Sequence, residues 1–161
     1  MNGLHSAEQN RIIRNIKDGR ADLITSVNWY DSELLMIAVS SEHLGVVKKL
    51  LELGVDPNIK WKSGYPLHLA VYKGLEYVQA LVEYGADVDV TEDRGGETPL
   101  HIASRLGKRK TILYLLDNNA DKWIKSDNDE HTVDVANSEY TRRIIEEHQY
   151  YEPDIKEPGV E

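Results

Sequence analysis

The chain has 161 residues, and its 28 Asp and Glu against 19 Lys and Arg give a formal charge of −9. It contains no cysteine and no phenylalanine, so 9 Tyr and 3 Trp supply every aromatic ring. These counts exclude a disulfide framework, a thiolate metal site and a cysteine nucleophile; the acidic balance disfavours nucleic acid and anionic membrane as partners, since both call for a Lys/Arg surplus.

The length fits one domain, and 40% hydrophobic with 29% charged residues is an ordinary globular composition. Residues 1–5 show no basic stretch leading into an apolar one, so no secretory signal is expected. The longest strongly apolar run, residues 34–39, is far short of the ~20 residues of a membrane span. A soluble, cytoplasmic chain is the expectation.

In chain order, residues 7–17, with Ile12, Ile13 and Ile16 as a stripe, and residues 20–27 predict a helix pair closed by Gly19. Arg11, Arg14, Lys17 and Arg20 make this segment locally basic. A short helix begins near Glu33 and runs through Ala38. A second follows on Val46, Val47, Leu50 and Leu51 and stops at Gly54. The same pair then recurs twice. Pro66 and Pro99 open first helices, where a missing N–H has no intrahelical partner to lose, and Gly74 and Gly107 close them. Second helices carry Tyr77, Val78, Leu81 and Val82, then Ile112, Leu115 and Leu116. Residues 132–136 predict a shortened helix start, followed by a helix over residues 140–149 with Ile144 and Ile145. Residues 151–161, with Pro153, Pro158 and Gly159, are expected to be a disordered acidic tail.

The recurrence is close in sequence. Residues 66–74 (Pro-Leu-His-Leu-Ala-Val-Tyr-Lys-Gly) return as residues 99–107 (Pro-Leu-His-Ile-Ala-Ser-Arg-Leu-Gly), an offset of 33. A second block ending in Asp56, Asp87 and Asp121 returns at offsets of 31 and 34. At these residues the chain resembles the ankyrin-repeat family: residues 98–103 fit its Thr-Pro-Leu-His-x-Ala signature, and residues 65–70 fit it with Tyr65 in place of Thr. The resemblance implies an all-α solenoid of stacked helix-turn-helix units joined by β-hairpin-like loops. It divides the chain into an ankyrin-repeat domain, 1–150, and the tail. Within the domain, residues 1–28 are an N-terminal cap, 29–60, 61–92 and 93–126 are three repeats, and 127–150 are a C-terminal cap.

Several positions depart from that pattern. The first helix start lacks Pro and His, Glu42 replaces the inter-helix Gly, Asn119 replaces a loop Gly, and Trp123 stands at a usual Asn position. The Asp-to-Pro spacing is 10 residues from Asp56 to Pro66 and 12 from Asp87 to Pro99. These departures single out Trp61–Gly64 and the surroundings of Trp123 as the places where hairpin geometry would change.

No constellation of catalytic grade is present. His68 and His101 occupy one repeat position, which the resemblance implies is a hydrogen-bonding site between repeats, and neither has a ligand partner four residues away. His43 reads as structural by the same comparison, and His5, His131 and His148 are isolated. Residues 127–131 (Asp-Asn-Asp-Glu-His) fail the calcium-loop pattern, because His131 and Thr132 stand where a ligand and Gly are required. Residues 93–96 form a turn with no phosphate-cradling motif. No catalytic residue, metal site or cofactor is expected.

What remains is surface. The resemblance implies that hairpin tips and the exposed side of each first helix form a concave binding face. The candidates for it are Trp29, Tyr30, Ser40, Trp61, Lys62, Tyr72, Lys73, Glu92, Asp93, Arg94, Arg105 and Trp123, with Ser41, Ser63, Ser104, Lys125 and Asn128 beside them. Trp and Tyr dominate binding hot spots; the alternative for Trp29 and Trp123 is that they fold back over repeat edges. The expected function is a non-enzymatic protein-interaction module, monomeric alone, whose partner is another protein that the charge suggests is basic, with no nucleic acid and no membrane. The alternative is a small acidic immunity protein or inhibitor that neutralises a basic toxin or nuclease.

Overall fold

The computed structural model describes residues 11, 13–20, 32–62 and 64–148. Seven helices follow one another in this span: α1 Ser32–Ser40, α2 Leu44–Glu52, α3 Pro66–Lys73, α4 Leu75–Glu83, α5 Pro99–Leu106, α6 Arg109–Asp117 and α7 Glu139–Glu146. Residues 13–17 are helical as well. Each first helix packs on the second helix that follows it. Neighbouring pairs stack so that α1, α3 and α5 make one row and α2, α4, α6 and α7 the other.

The stripes read from sequence are the faces buried between these rows. Val46, Val47, Leu50 and Leu51 of α2 are buried, as are Tyr77, Val78, Ala80 and Leu81 of α4, with Val82 half-buried. Thr111, Ile112, Leu115 and Leu116 do the same for α6. Ala38, Ala70 and Ala103, at one position of the first-helix row, are each fully buried, and their small side chains allow close helix approach. Each fully buried Leu or Ile contributes on the order of 1.5–3 kcal/mol relative to exposure. Eight- and nine-residue helices are too short to persist alone in water, so stacking rather than propensity holds them.

Within residues 13–20, Ile16 is fully buried, and the Lys17 carbonyl oxygen lies 2.7 Å from His43 Nε2. Ile12 and residues 21–28 of the expected cap lie outside the described residues, as do Trp29, Tyr30, Ser63 and residues 151–161 of the tail.

Three local outcomes differ from the expectations. Residues 132–135 form turns rather than a shortened helix start. Here the Asp134 carboxylate accepts the His131 N–H at 2.8 Å, and Thr132 is spent on α5, its carbonyl accepting the Ser104 hydroxyl at 2.8 Å. The C-terminal helix is α7 alone, capped by Ser138, whose Oγ accepts the Thr141 N–H at 3.1 Å. Gly107 adopts the left-handed conformation expected after a helix (φ 64), but Gly74 lies at φ 154, ψ 164, a region open essentially to glycine. The hairpin at the unusual Trp61–Gly64 spacing does close, by reciprocal backbone hydrogen bonds of 2.9 and 3.2 Å.

Candidate interaction face

Two side-chain ladders fix the spacing of the repeats and so position the face. The first runs through the histidines. Tyr65 N–H donates to His68 Nδ1 at 3.3 Å, and His68 Nε2 donates across the repeat boundary to the Glu97 carbonyl at 3.0 Å. One repeat later, Thr98 N–H meets His101 Nδ1 at 3.3 Å while His101 Nε2 reaches the Glu130 carbonyl at 3.1 Å. An acceptor at Nδ1 and a donor at Nε2 require a neutral imidazole. Burial agrees: it pushes His68 down to about 4 and lowers His101 too. These are structural histidines. Among the described residues no three His, Asp or Glu side chains gather as a metal site would need.

The second ladder lies in the loops. The carboxylates of Asp56, Asp87 and Asp121 accept the N–H two residues on, at 2.8, 2.9 and 2.8 Å. Asn58 then joins repeats through Gly85 O at 2.9 Å and Asp87 N–H at 2.7 Å, and Asp89 accepts Asp121 N–H at 2.8 Å. Sequence reading missed Asn58 and Asp89, although each stands two residues after a loop Asp. Trp123 holds the equivalent place and is the most exposed large apolar side chain among the described residues, at 63%, edge-on to His131. Lys122 ties this loop to α7, donating to the carbonyls of Ile145 and Glu146 at 2.9 and 3.2 Å.

On this frame the first helices present Ser40, Tyr72 and Arg105 at one repeat position, all exposed. Tyr72 is 55% exposed, and Leu106, which sequence reading passed over, is 42% exposed. Lys108 fixes the floor beside Tyr72 by donating to its carbonyl at 3.0 Å. The hairpin tips are at Trp61–Gly64, at residues 92–97, where Glu92 N–H donates to Glu97 O at 3.1 Å, and at residues 126–130, where Ser126 N–H donates to Glu130 O at 2.9 Å. Neighbouring tips are sewn together: Asp127 N–H donates to Gly95 O at 2.9 Å, and Gly95 N–H to Asp127 Oδ2 at 3.1 Å.

The charges of this face are largely closed internally. Lys60 pairs with Asp93, Lys73 with Glu42, Arg105 with Glu97, and Lys125 with Asp129. Arg94 and Asn128 are exposed at the tips, and Glu92 is half-buried, its carboxyl raised by burial. Ser104, expected beside the face, is fully buried, and its hydroxyl donates to the Thr132 carbonyl instead. Trp61 is half-buried, with the Lys62 ammonium 3.9 Å from its ring centroid. The tips thus bring together Trp61 and Lys62, with Asp93 of the next tip tied to the neighbouring Lys60, and the floor supplies Tyr72 and Arg105; Trp123 belongs to the loop row.

Comparison with known proteins accords with this geometry. The family profile described as ankyrin repeats (3 copies) matches residues 35–126, more than half of the chain. The chain belongs to the ankyrin-repeat family. An ankyrin repeat-containing protein of Schizosaccharomyces pombe is 36% identical over 94 residues, covering 57% of this chain and 44% of the relative. Human protein phosphatase 1 regulatory subunit 27 is 40% identical over 79 residues, covering 48% of this chain and 51% of the relative. The chain therefore spans about half the length of these curated relatives. Among solved structures, the ankyrin repeat domain of Bcl-3 superposes with a TM-score of 0.77 at 25% identity, covering 84% of this chain and 66% of that one. Ankyrin repeats are protein–protein interaction modules. None of the described helices is long and apolar enough to cross a membrane.

Proposed function

We propose that this ankyrin-repeat chain is a non-enzymatic module that holds a protein partner on the concave face formed by the hairpin tips and first helices. The observation that carries this reading is the row Ser40, Tyr72 and Arg105: one repeat position stays exposed in all three repeats, and it carries a Tyr more than half exposed. A fold held by two ladders displays that row rigidly, so little ordering cost accompanies binding. A specific complex would bury about 800 Å² on this side. In this reading the chain acts as a monomer and without a cofactor. The test is the Trp61→Ala/Tyr72→Ala double variant: affinity for a purified partner should fall at least tenfold while the melting temperature holds within a few degrees. Unchanged affinity would remove the concave face from the proposal.

A second reading, an acidic inhibitor of a basic protein, is supported by where the unpaired charge lies. Asp56, Asp87, Asp89 and Asp121 use their carboxylates on backbone N–H groups and make no ion pair among the described residues. Burial and the neighbouring carboxylates raise Asp89. Charge complementarity acts chiefly on encounter, so the association rate for such a partner should fall steeply with salt. A salt-insensitive rate would dismiss this reading and leave the first.

A further inference from the structure

The first hairpin tip holds a cation on an aromatic ring. Trp61 is clamped at both its N–H and its carbonyl by Gly64, at 2.9 and 3.2 Å, so the indole stands on a short, closed turn. Lys62 follows at φ 53, a backbone state that disfavours side-chain-bearing residues. Its ammonium lies 3.9 Å from the Trp61 ring centroid. Four other cations of this face pair with carboxylates: Lys60 with Asp93, Lys73 with Glu42, Arg105 with Glu97 and Lys125 with Asp129, while Arg94 is exposed at the next tip. Lys62 has no carboxylate partner among the described residues, and the ring face is what receives it.

We infer that the Trp61 ring is the docking point for an arginine or lysine side chain of the partner protein, and that Lys62 is an internal stand-in for that cation. This rests on the concave-face reading and adds the chemistry of the occupant. An exposed cation–π contact is weak, so an incoming cation displaces Lys62 at a cost of only about 2- to 5-fold in affinity. A guanidinium gains more than an ammonium, since it stacks flat on the indole and keeps its N–H donors free for a carboxylate. The formal charge of −9 selects for a cationic partner over long range.

The test uses the full chain and two peptide probes, Gly-Arg-Gly-Arg-Gly and Gly-Glu-Gly-Glu-Gly, followed at the Trp61 indole N–H by NMR. That resonance is assigned by its loss in Trp61→Leu. The arginine peptide should give a saturable shift there, and the glutamate peptide none. Lys62→Ala should tighten arginine-peptide binding about 2- to 5-fold by vacating the ring. Thermal melts of both variants check that each remains folded. A silent indole, a response to the glutamate peptide, or weaker arginine binding by Lys62→Ala would overturn the inference; the second would mean that the tip receives an anion, and the third that Lys62 supports the incoming cation and is not displaced by it. The concave-face reading is judged separately through Tyr72→Ala and a purified protein partner, so one can fail while the other stands.

Discussion

The histidine ladder makes a quantitative prediction about pH. His68 is held neutral at the joint between two repeats, its value pushed down to about 4 from an ordinary 6.5 by burial. The unfolded chain takes up a proton at this residue as pH falls through 6.5, and the folded chain resists until about 4. The contribution of neutral His68 to stability is therefore complete above pH 6.5, is lost as pH falls from there toward 4, and is level below that. At pH 5 the unfolded imidazole is almost fully protonated and the folded one only about a tenth so, which amounts to about 2 kcal/mol lost relative to pH 8. The assay is urea unfolding of the wild type and of His68→Gln at both pH values. Gln cannot titrate, so its loss between pH 8 and pH 5 should be smaller by about 2 kcal/mol. Carboxylates common to both proteins cancel in this difference, and so does His101, which burial also lowers. Equal losses in the two proteins would show that the His68 proton is not excluded by the fold.

Three further outcomes follow from packing and backbone geometry. Leu100, fully buried in the central stack, should cost about 2–5 kcal/mol as Leu100→Ala, read by denaturant midpoint; a cost below 1 kcal/mol would mean that the stack closes around the cavity. Gly107 sits at φ 64, where an added Cβ would run into the Asn137 side chain. Gly107→Ala should thus destabilise by more than about 1 kcal/mol, measured by thermal melt, where Ala at an unstrained site would be neutral or better. Glu42 occupies the equivalent turn at φ 59, and its ion pair with Lys73 is exposed. Relief of a left-handed non-glycine residue outweighs a surface pair, so Glu42→Gly should raise stability by about 0.5–1 kcal/mol in the same melts.

Much of the fold was legible in the sequence, for reasons visible in particular residues. The offset of 33 that carries Pro66–His68 onto Pro99–His101 also carries Thr98 onto His131 and His101 onto Asp134. The third copy hides because the Asp134 carboxylate accepts its own cap N–H but has no side-chain N–H to donate to a following repeat. Where the connector changes chemistry, the helix start becomes a turn. Trp123 likewise takes the place of Asn58 and Asp89 at the last loop, and its indole lies open instead of bridging onward. The candidate face was less legible. Exposure of Ser40, Tyr72 and Arg105 follows from their shared repeat position, but the burial of Ser104 one residue before Arg105 depends on the Thr132 carbonyl.

Apolar spacing, Pro and Gly by themselves determined the two-helix unit, its repetition and the buried stripes, because these depend on residues within a turn or two of one another. Only the tertiary structure decided which charges are spent and which remain. Lys60 finds Asp93 from 33 residues away, Glu42 is found by Lys73 at a distance of 31, and Lys62 is left with a ring. Side-chain pairing across repeats is set by how the units stack, and stacking is fixed by hydrogen bonds between residues about one repeat apart, such as those of His68 and Asn58. A repeat announces its own helices; its surface is defined by its neighbours.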